Sequence, residues 1–209
     1  MKIIQDRIGS KIDKEVGQAQ FGFRPGSGTR EGIFCFNIIA QKHIEVNQDL
    51  YTCFIDFSKA FDRVHQLIDC LEKIGTDGRD IRVIANLYWH QKAAIRIQNE
   101  LSPFTSIERG VRQGCVLSPY LFNIYTEFIF RESNELEGIN IHGQNINNLR
   151  YADDTALLAN NPEKLQKVVT KVRDESSKGG LDMNVKKTKA MVISKEPKGK
   201  KVEKKVNKE

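Results

Sequence analysis

The sequence predicts an α+β fold built on an antiparallel sheet. Helical and alternating periods follow one another irregularly along the 209 residues, short hairpin patterns recur, and no internal repeat is present. A chain of this length has room for one substantial domain with its own core.

Each element has a local reason. Ile3, Ile4, Ile8 and Ile12 stand at helical spacing within residues 1–20. A Gly-rich loop, residues 20–29, carries one cation, Arg24, and Thr29 is placed as N-cap of a helix running to about Val46 with Ile33, Phe34, Phe36, Ile38 and Ile39. After the polar break Asn47-Gln48-Asp49, the run Tyr51-Thr52-Cys53-Phe54-Ile55 predicts a strand ending at Asp56. Residues 58–74 read as a helix stopped by Gly75, and Gly78 precedes a second helical stretch through Ile81, Ile84, Leu87 and Tyr88. Residues 93–107 predict a hairpin turning at Asn99-Glu100. Pro119 behind Ser118 as N-cap opens an apolar helix to about Asn134. A further hairpin spans residues 139–146, turning at 142–145, and a hairpin around Asp153-Asp154 follows it. Asn161-Pro162 starts a helix with Leu165, Val168, Val169 and Val172 at i, i+3, i+4 and i+7, which Gly179 and Gly180 end. Residues 181–194 supply a last strand.

Composition excludes several classes. No apolar run approaches a membrane span, and residues 1–15 lack the apolar centre of a signal peptide, so the expected setting is intracellular, nucleus or cytoplasm alike. The formal charge is +6, but residues 195–209 hold seven Lys and three Glu and account for most of it. That tail reads as a solvated, disordered end, and the rest of the chain permits a nucleic-acid partner without requiring one. Cys35, Cys53, Cys70 and Cys115 form no Cys-x-x-Cys pair and read as reduced core or near-core residues.

The chemistry concentrates in Tyr151-Ala152-Asp153-Asp154. Two adjacent acids between strand-forming segments belong at a hairpin tip. Acids are disfavoured against an apolar sheet unless a cation compensates, and hard divalent ions take carboxylate oxygens. Asp56 is a third acid in the same setting, at the end of its own apolar run. Turn chemistry alone also favours Asp, so the pair by itself leaves a surface-turn reading open.

Residues 51–64 (YTCFIDFSKAFDRV), 109–125 (RGVRQGCVLSPYLFNIY) and 151–159 (YADDTALLA) resemble the A, B and C motifs of reverse transcriptases, in family order. The likeness is greatest to non-LTR, LINE-type retroelements, and a group II intron-type maturase fits the flanks less well. Residues 21–29 (FGFRPGSGT) resemble the upstream finger-region motif, and residues 181–193 (LDMNVKKTKAMVI) the D motif.

The resemblance implies a polymerase palm, an antiparallel sheet packed on helices, with partial fingers in residues 1–46, the palm in 47–194, and part of 78–112 reaching toward the fingers. It implies an RNA-directed DNA polymerase using RNA template, DNA primer and deoxynucleoside triphosphates, with two Mg²⁺ for which Mn²⁺ substitutes. Asp56, Asp153 and Asp154 are the implied catalytic and metal-holding acids. Phe61 is the implied steric gate beneath the sugar, with a core Phe as the alternative. Gln113 and Gly114 are implied at the nucleotide, and Lys187 at the leaving pyrophosphate, with a surface lysine on a strand as the alternative. Tyr151 and Ala152 are expected near the primer end, and Arg112 and Arg24 near template phosphate. Arg24 does not belong to a nucleotide-binding P-loop, because no Gly-Lys-Ser or Gly-Lys-Thr follows it.

Relative to the family pattern, upstream finger strands, a primer grip, a thumb and an endonuclease are not represented, and the stretch after Asp62 is a couple of residues short. The expectation is therefore a fragment truncated at both ends, weak in processive extension because few phosphate contacts would hold a duplex. The alternative is a catalytically silent remnant that at most binds nucleic acid or a partner.

Overall fold

The computed structural model describes residues 1–64, 67–89, 91–107 and 109–195. In chain order these form α1 (Lys2–Glu15), α2 (Thr29–Glu45), β1 (Leu50–Ile55), a 3₁₀ turn (Ala60–Arg63), α3 (Leu67–Lys73) and α4 (Gly78–Tyr88). There follow β2 (Gln91–Ala93), β3 (Arg96–Ile97), β4 (Glu100–Leu101), β5 (Thr105–Ile107) and α5 (Ser118–Arg131). The chain closes with β6 (Ile139–Ile141), β7 (Gln144–Ile146), β8 (Asn148–Tyr151), β9 (Asp154–Ala159), α6 (Pro162–Lys178) and β10 (Lys189–Ile193). The Lys-rich tail beyond Lys195, and His65 and Gln66 of the shortened stretch, lie outside the described residues.

The central sheet has the order β10-β1-β9-β8, and every pairing in it is antiparallel. Side chains alternate across a strand, which divides the core in two. Tyr51, Cys53, Ile55, Leu157 and Ala159 meet the main cluster with Leu121, Phe122 and Ile124 of α5 and Leu165, Val168 and Val172 of α6. Leu50, Leu158 and Leu149 face the other way, against Phe36, Ile39 and Ala40 of α2 and the β6–β7 hairpin. α5 is touched by α1, α3 and α6, and Leu121, Phe122 and Ile124 are fully buried, so it is the axis of the helical layer.

Local signals explain most boundaries. The Asn161 side chain accepts the Lys164 N–H at 2.7 Å while Pro162 takes the first turn of α6, and Asp77 caps α4 by accepting the Arg79 N–H at 2.8 Å. The caps of α2 and α5 fall one residue earlier than expected, on Gly28 and Leu117. The β6–β7 turn is His142-Gly143, both at positive φ, as a tight hairpin with right-handed strand twist requires.

Three expectations need correction. The helix expected over 58–74 is a 3₁₀ turn followed by the short α3, because Lys59 is left-handed at φ 52 and Val64 is extended. The strand expected over 181–194 is confined to 189–193, because 182–188 is diverted into a loop bonded to residues 56–58. The hairpin of residues 93–107 turns at Gln98-Asn99, with Gln98 at φ 54, and splits into two ladders, β3–β4 and β2–β5. Among the described residues no helix is long and apolar enough to cross a membrane.

Candidate active site

β8 and β9 form a hairpin whose last pair is Tyr151↔Asp154, leaving Ala152 and Asp153 as a two-residue loop. Ala152 takes φ 56 at the first loop position, the place where such hairpins turn left-handed. β1 and β9 pair down to Ile55↔Thr155, so the next step of the ladder sets Asp56 opposite Asp154. The alternation of side chains assigns both residues to the sheet face turned away from α5 and α6. Asp153 sits beside them at the tip.

Asp154 feels the other two carboxylates. The Asp154 carboxyl is raised above its usual range by partial burial first, then by the negative charges of Asp153 and Asp56. Among the described residues no three His, Cys, Asp or Glu side chains stand as a ready-made metal cage. The donor chemistry nevertheless fits a hard divalent ion. The oxygens are carboxylate oxygens, their repulsion is what a cation would relieve, and Mg²⁺ keeps waters and takes substrate oxygens rather than a full protein shell.

Lys187 reaches one of these acids, Asp56. Its ammonium lies 3.6 Å from the Asp56 carboxylate, with 68% of the side chain exposed. The loop that carries it is bonded to the end of β1. The Asn184 N–H donates to the Asp56 carbonyl at 2.7 Å, and the Ser58 N–H donates to the Asp182 carbonyl at 2.8 Å. The Asn184 carbonyl then accepts from Lys187 and Thr188, closing a turn that aims Lys187 back at Asp56. Lys187 therefore stands in a turn and not on a strand. Arg63, to which the sequence assigned no chemistry, braces this loop through an ion pair with Asp182.

An aromatic group runs from α5 to the end of β8. Phe61, in the 3₁₀ turn, is half-buried and stacks flat on Phe122 of α5, with centroids 4.3 Å apart. The Phe23 ring stands nearly perpendicular to Phe61 with centroids 6.2 Å apart, and Phe23 in turn lies 6.4 Å from Tyr151 at the end of β8. Gln113 and Gly114 are exposed in the loop before α5, and Gly114 has φ 78 with open space where a Cβ would stand. Open space means that the positive φ is what requires glycine there.

The two arginines expected near template phosphate are engaged within the protein. Arg112 donates through Nε to Gln91 at 2.6 Å. Arg24 is turned inward, donating to the carbonyls of Gly17 at 2.9 Å, Asp13 at 3.4 Å and Gln20 at 3.5 Å. It anchors the Gly-rich loop to the end of α1.

Sequence reasoning missed two residues behind the hairpin. Gln20 is 1% exposed, and its side chain bonds the backbone of Ala152. Arg150 is buried and paired with Glu127 of α5 at 2.7 Å, while its guanidinium lies over the Phe130 ring. A charged residue two places before the hairpin tip was the available signal for Arg150. Nothing local marks Gln20.

Comparison with known proteins gives a consistent result. Residues 1–206 match the family described as reverse transcriptase (RNA-dependent DNA polymerase). The chain is 27% identical over 203 residues to the Pol polyprotein of the type-1 retrotransposable element R2 of Nasonia vitripennis, covering 96% of this chain and 20% of the relative. It is 29% identical over 160 residues to the RNA-directed DNA polymerase of the mobile element jockey of Drosophila funebris, covering 75% of this chain and 17% of the relative. The chain thus spans about a fifth of the length of these curated relatives. In fold it is similar to apo telomerase of Candida tropicalis truncated from its C-terminal domain, with TM-score 0.72 and 16% identity over 91% of this chain and 40% of that one.

Proposed function

This chain belongs to the reverse transcriptase (RNA-dependent DNA polymerase) family, and from that premise we propose that it carries the palm and part of the fingers of a non-LTR retroelement polymerase. The reaction is template-directed joining of deoxynucleotides to a primer 3′-hydroxyl, with RNA as template. The observation that carries this reading is the register that sets Asp56 opposite Asp154, with Asp153 at the adjoining tip.

In this reading residues 47–194 are the palm, 1–46 belong to the fingers, and part of 78–112 extends toward them. Asp56, Asp153 and Asp154 would hold two divalent ions, Mg²⁺ or Mn²⁺ in its place. When bound, such ions lower the pKa of the attacking hydroxyl and neutralise charge on the leaving pyrophosphate. The protein supplies placement. Phe61, fixed by its stack on Phe122, presents an edge that excludes a ribose 2′-hydroxyl. Gln113 hydrogen-bonds the nucleotide or template where Gly114 leaves the backbone open. Lys187 would protonate the leaving pyrophosphate, a role supported by its position 3.6 Å from Asp56. Tyr151 and Ala152 seat the primer end, Arg112 serves the template side, and Arg24, turned inward, serves it by holding the Gly-rich loop.

A second reading, a silent chain that binds nucleic acid without turnover, draws on the absence of a preassembled three-acid cage among the described residues. Primer extension on an RNA template separates the two. Incorporation that falls by about 10²-fold or more in Asp153→Asn and Asp56→Asn supports the polymerase. Template–primer binding with no incorporation under Mg²⁺ or Mn²⁺ supports the silent reading.

A further inference from the structure

The tip that carries Asp153 and Asp154 is bent against the preference of its own sequence. Ala152 has φ 56, a left-handed conformation in which the Cβ of an L-residue crowds the following carbonyl. Tight hairpins place Gly, Asn or Asp at such positions because those residues tolerate it or bond locally. Alanine has neither means, so what holds the turn must come from elsewhere in the fold.

It comes from the Gly-rich loop. Gln20 is 1% exposed, and its Oε1 accepts from the Ala152 N–H at 2.9 Å and from the Gly22 N–H at 2.8 Å. Its Nε2 points at the Ala152 carbonyl at 3.4 Å. One side-chain amide thus grips both backbone groups of the strained residue. The loop is itself fixed on β8, where the Arg150 N–H donates to the Ala19 carbonyl at 2.7 Å and the Phe21 N–H to the Arg150 carbonyl at 2.8 Å. Gly22 fits tightly against the tip, since a Cβ there would lie 2.4 Å from the Ala152 nitrogen. From the far side, Asn123 of α5 donates to the Gly22 carbonyl at 2.9 Å. Helix, loop and hairpin are therefore joined at Gln20.

We infer that Gln20 is a positioning residue for the catalytic acids. It touches no reacting atom. By holding Ala152 left-handed it sets the direction in which Asp153 and Asp154 leave the turn, and so how closely their carboxylates can approach Asp56. The inference rests on the metal-holding role proposed for those acids. A buried glutamine that merely satisfies its own polar atoms would stabilise the loop and leave the aim of the acids unchanged.

The full chain tests this with Mn²⁺ alone as the probe, its binding followed by titration, and with amide hydrogen exchange at Ala152. Gln20→Ala should weaken Mn²⁺ binding by about tenfold or more, as loss of outer-shell support does, and should speed exchange at Ala152 relative to β1 and β9. Glycine adopts positive φ without support. Adding Ala152→Gly to Gln20→Ala should therefore recover a large part of the lost affinity. The inference is overturned if Gln20→Ala keeps wild-type affinity and wild-type exchange at Ala152. It is also overturned if exchange rises evenly over the sheet and Ala152→Gly recovers nothing, since that marks a general structural role. If the wild-type chain binds no Mn²⁺, the metal reading fails on its own, and selective loss of protection at Ala152 still decides whether Gln20 holds the tip.

Discussion

Lys187 and Asp56 face one another across 3.6 Å, the one ion pair recorded for any of the three acids among the described residues. The residues are far apart in sequence, and the loop bonded to the end of β1 brings them together. The pair is largely exposed and adds little to stability. In the proposed polymerase reading, the same ammonium would compete with a divalent ion for Asp56 and would donate a proton to the leaving pyrophosphate.

These two roles predict opposite effects of one substitution. Lys187→Ala should tighten Mn²⁺ binding a few-fold, since unit charges about 4 Å apart in water interact by about 1 kcal/mol. Nucleotide incorporation at saturating substrate should fall by about 10²-fold with the loss of a general acid. Titration and single-turnover kinetics check the two arms separately, and unchanged incorporation would leave Lys187 a surface charge.

Asp154 predicts a dependence of stability on pH. Its carboxyl is raised in the folded protein from a usual 3.8, by burial first and then by Asp153 and Asp56. The folded state therefore holds this proton more firmly than the unfolded state does. Stability from this group is greatest below 3.8 and declines as pH rises through the raised value, leaving a standing penalty at neutral pH. Asp154→Asn should raise the metal-free melting temperature at neutral pH, and the gain should vanish in acid. A gain of equal size at both ends of the pH range would contradict the electrostatic origin.

Phe61 predicts coupled losses of selectivity and stability. Its stack on Phe122 makes it part of the packing, so Phe61→Ala should cost about 2–3 kcal/mol in urea unfolding. The same variant should accept ribonucleotides that the parent excludes. Stability lost without any gain in ribonucleotide use would reduce Phe61 to a core residue.

The buried pair behind the hairpin predicts a non-additive response. Arg150 and Glu127 have side chains 2% and 4% exposed, and the Nε and Nη1 of Arg150 have no hydrogen-bond partner among the described residues. Arg150→Met alone should cost about 3–5 kcal/mol by leaving the buried Glu127 charge only the more distant Arg131, 3.8 Å away. Combining it with Glu127→Leu should recover much of that loss, because the double variant leaves no charge buried. Equal losses in single and double variants, read by urea denaturation, would show that packing around Phe130 dominates.

The hairpin that carries Asp153 and Asp154, the strand before Asp56, and the helices α2, α4, α5 and α6 were legible because their signals are local. Two acids between apolar runs mark a tip, and Leu165, Val168, Val169 and Val172 mark one helical face. The expected strand over 181–194 failed for a nonlocal reason, since residues 182–184 bond to 56–58 instead of extending the ladder. The expected helix over 58–74 failed at Lys59, whose left-handed backbone has no signature in its side chain.

By itself the sequence singled out the three candidate acids and set them at the ends of apolar strands, because charge and periodicity are properties of neighbouring residues. Only the tertiary structure decided how they meet. The β1–β9 register sets Asp56 against Asp154, the loop after α6 brings Lys187 to Asp56, and Gln20 holds Ala152 in a conformation alanine does not choose. Each of these joins residues about a hundred or more positions apart. The energy that fixes them comes from long-range packing and hydrogen bonding, of which no short window of sequence carries a trace.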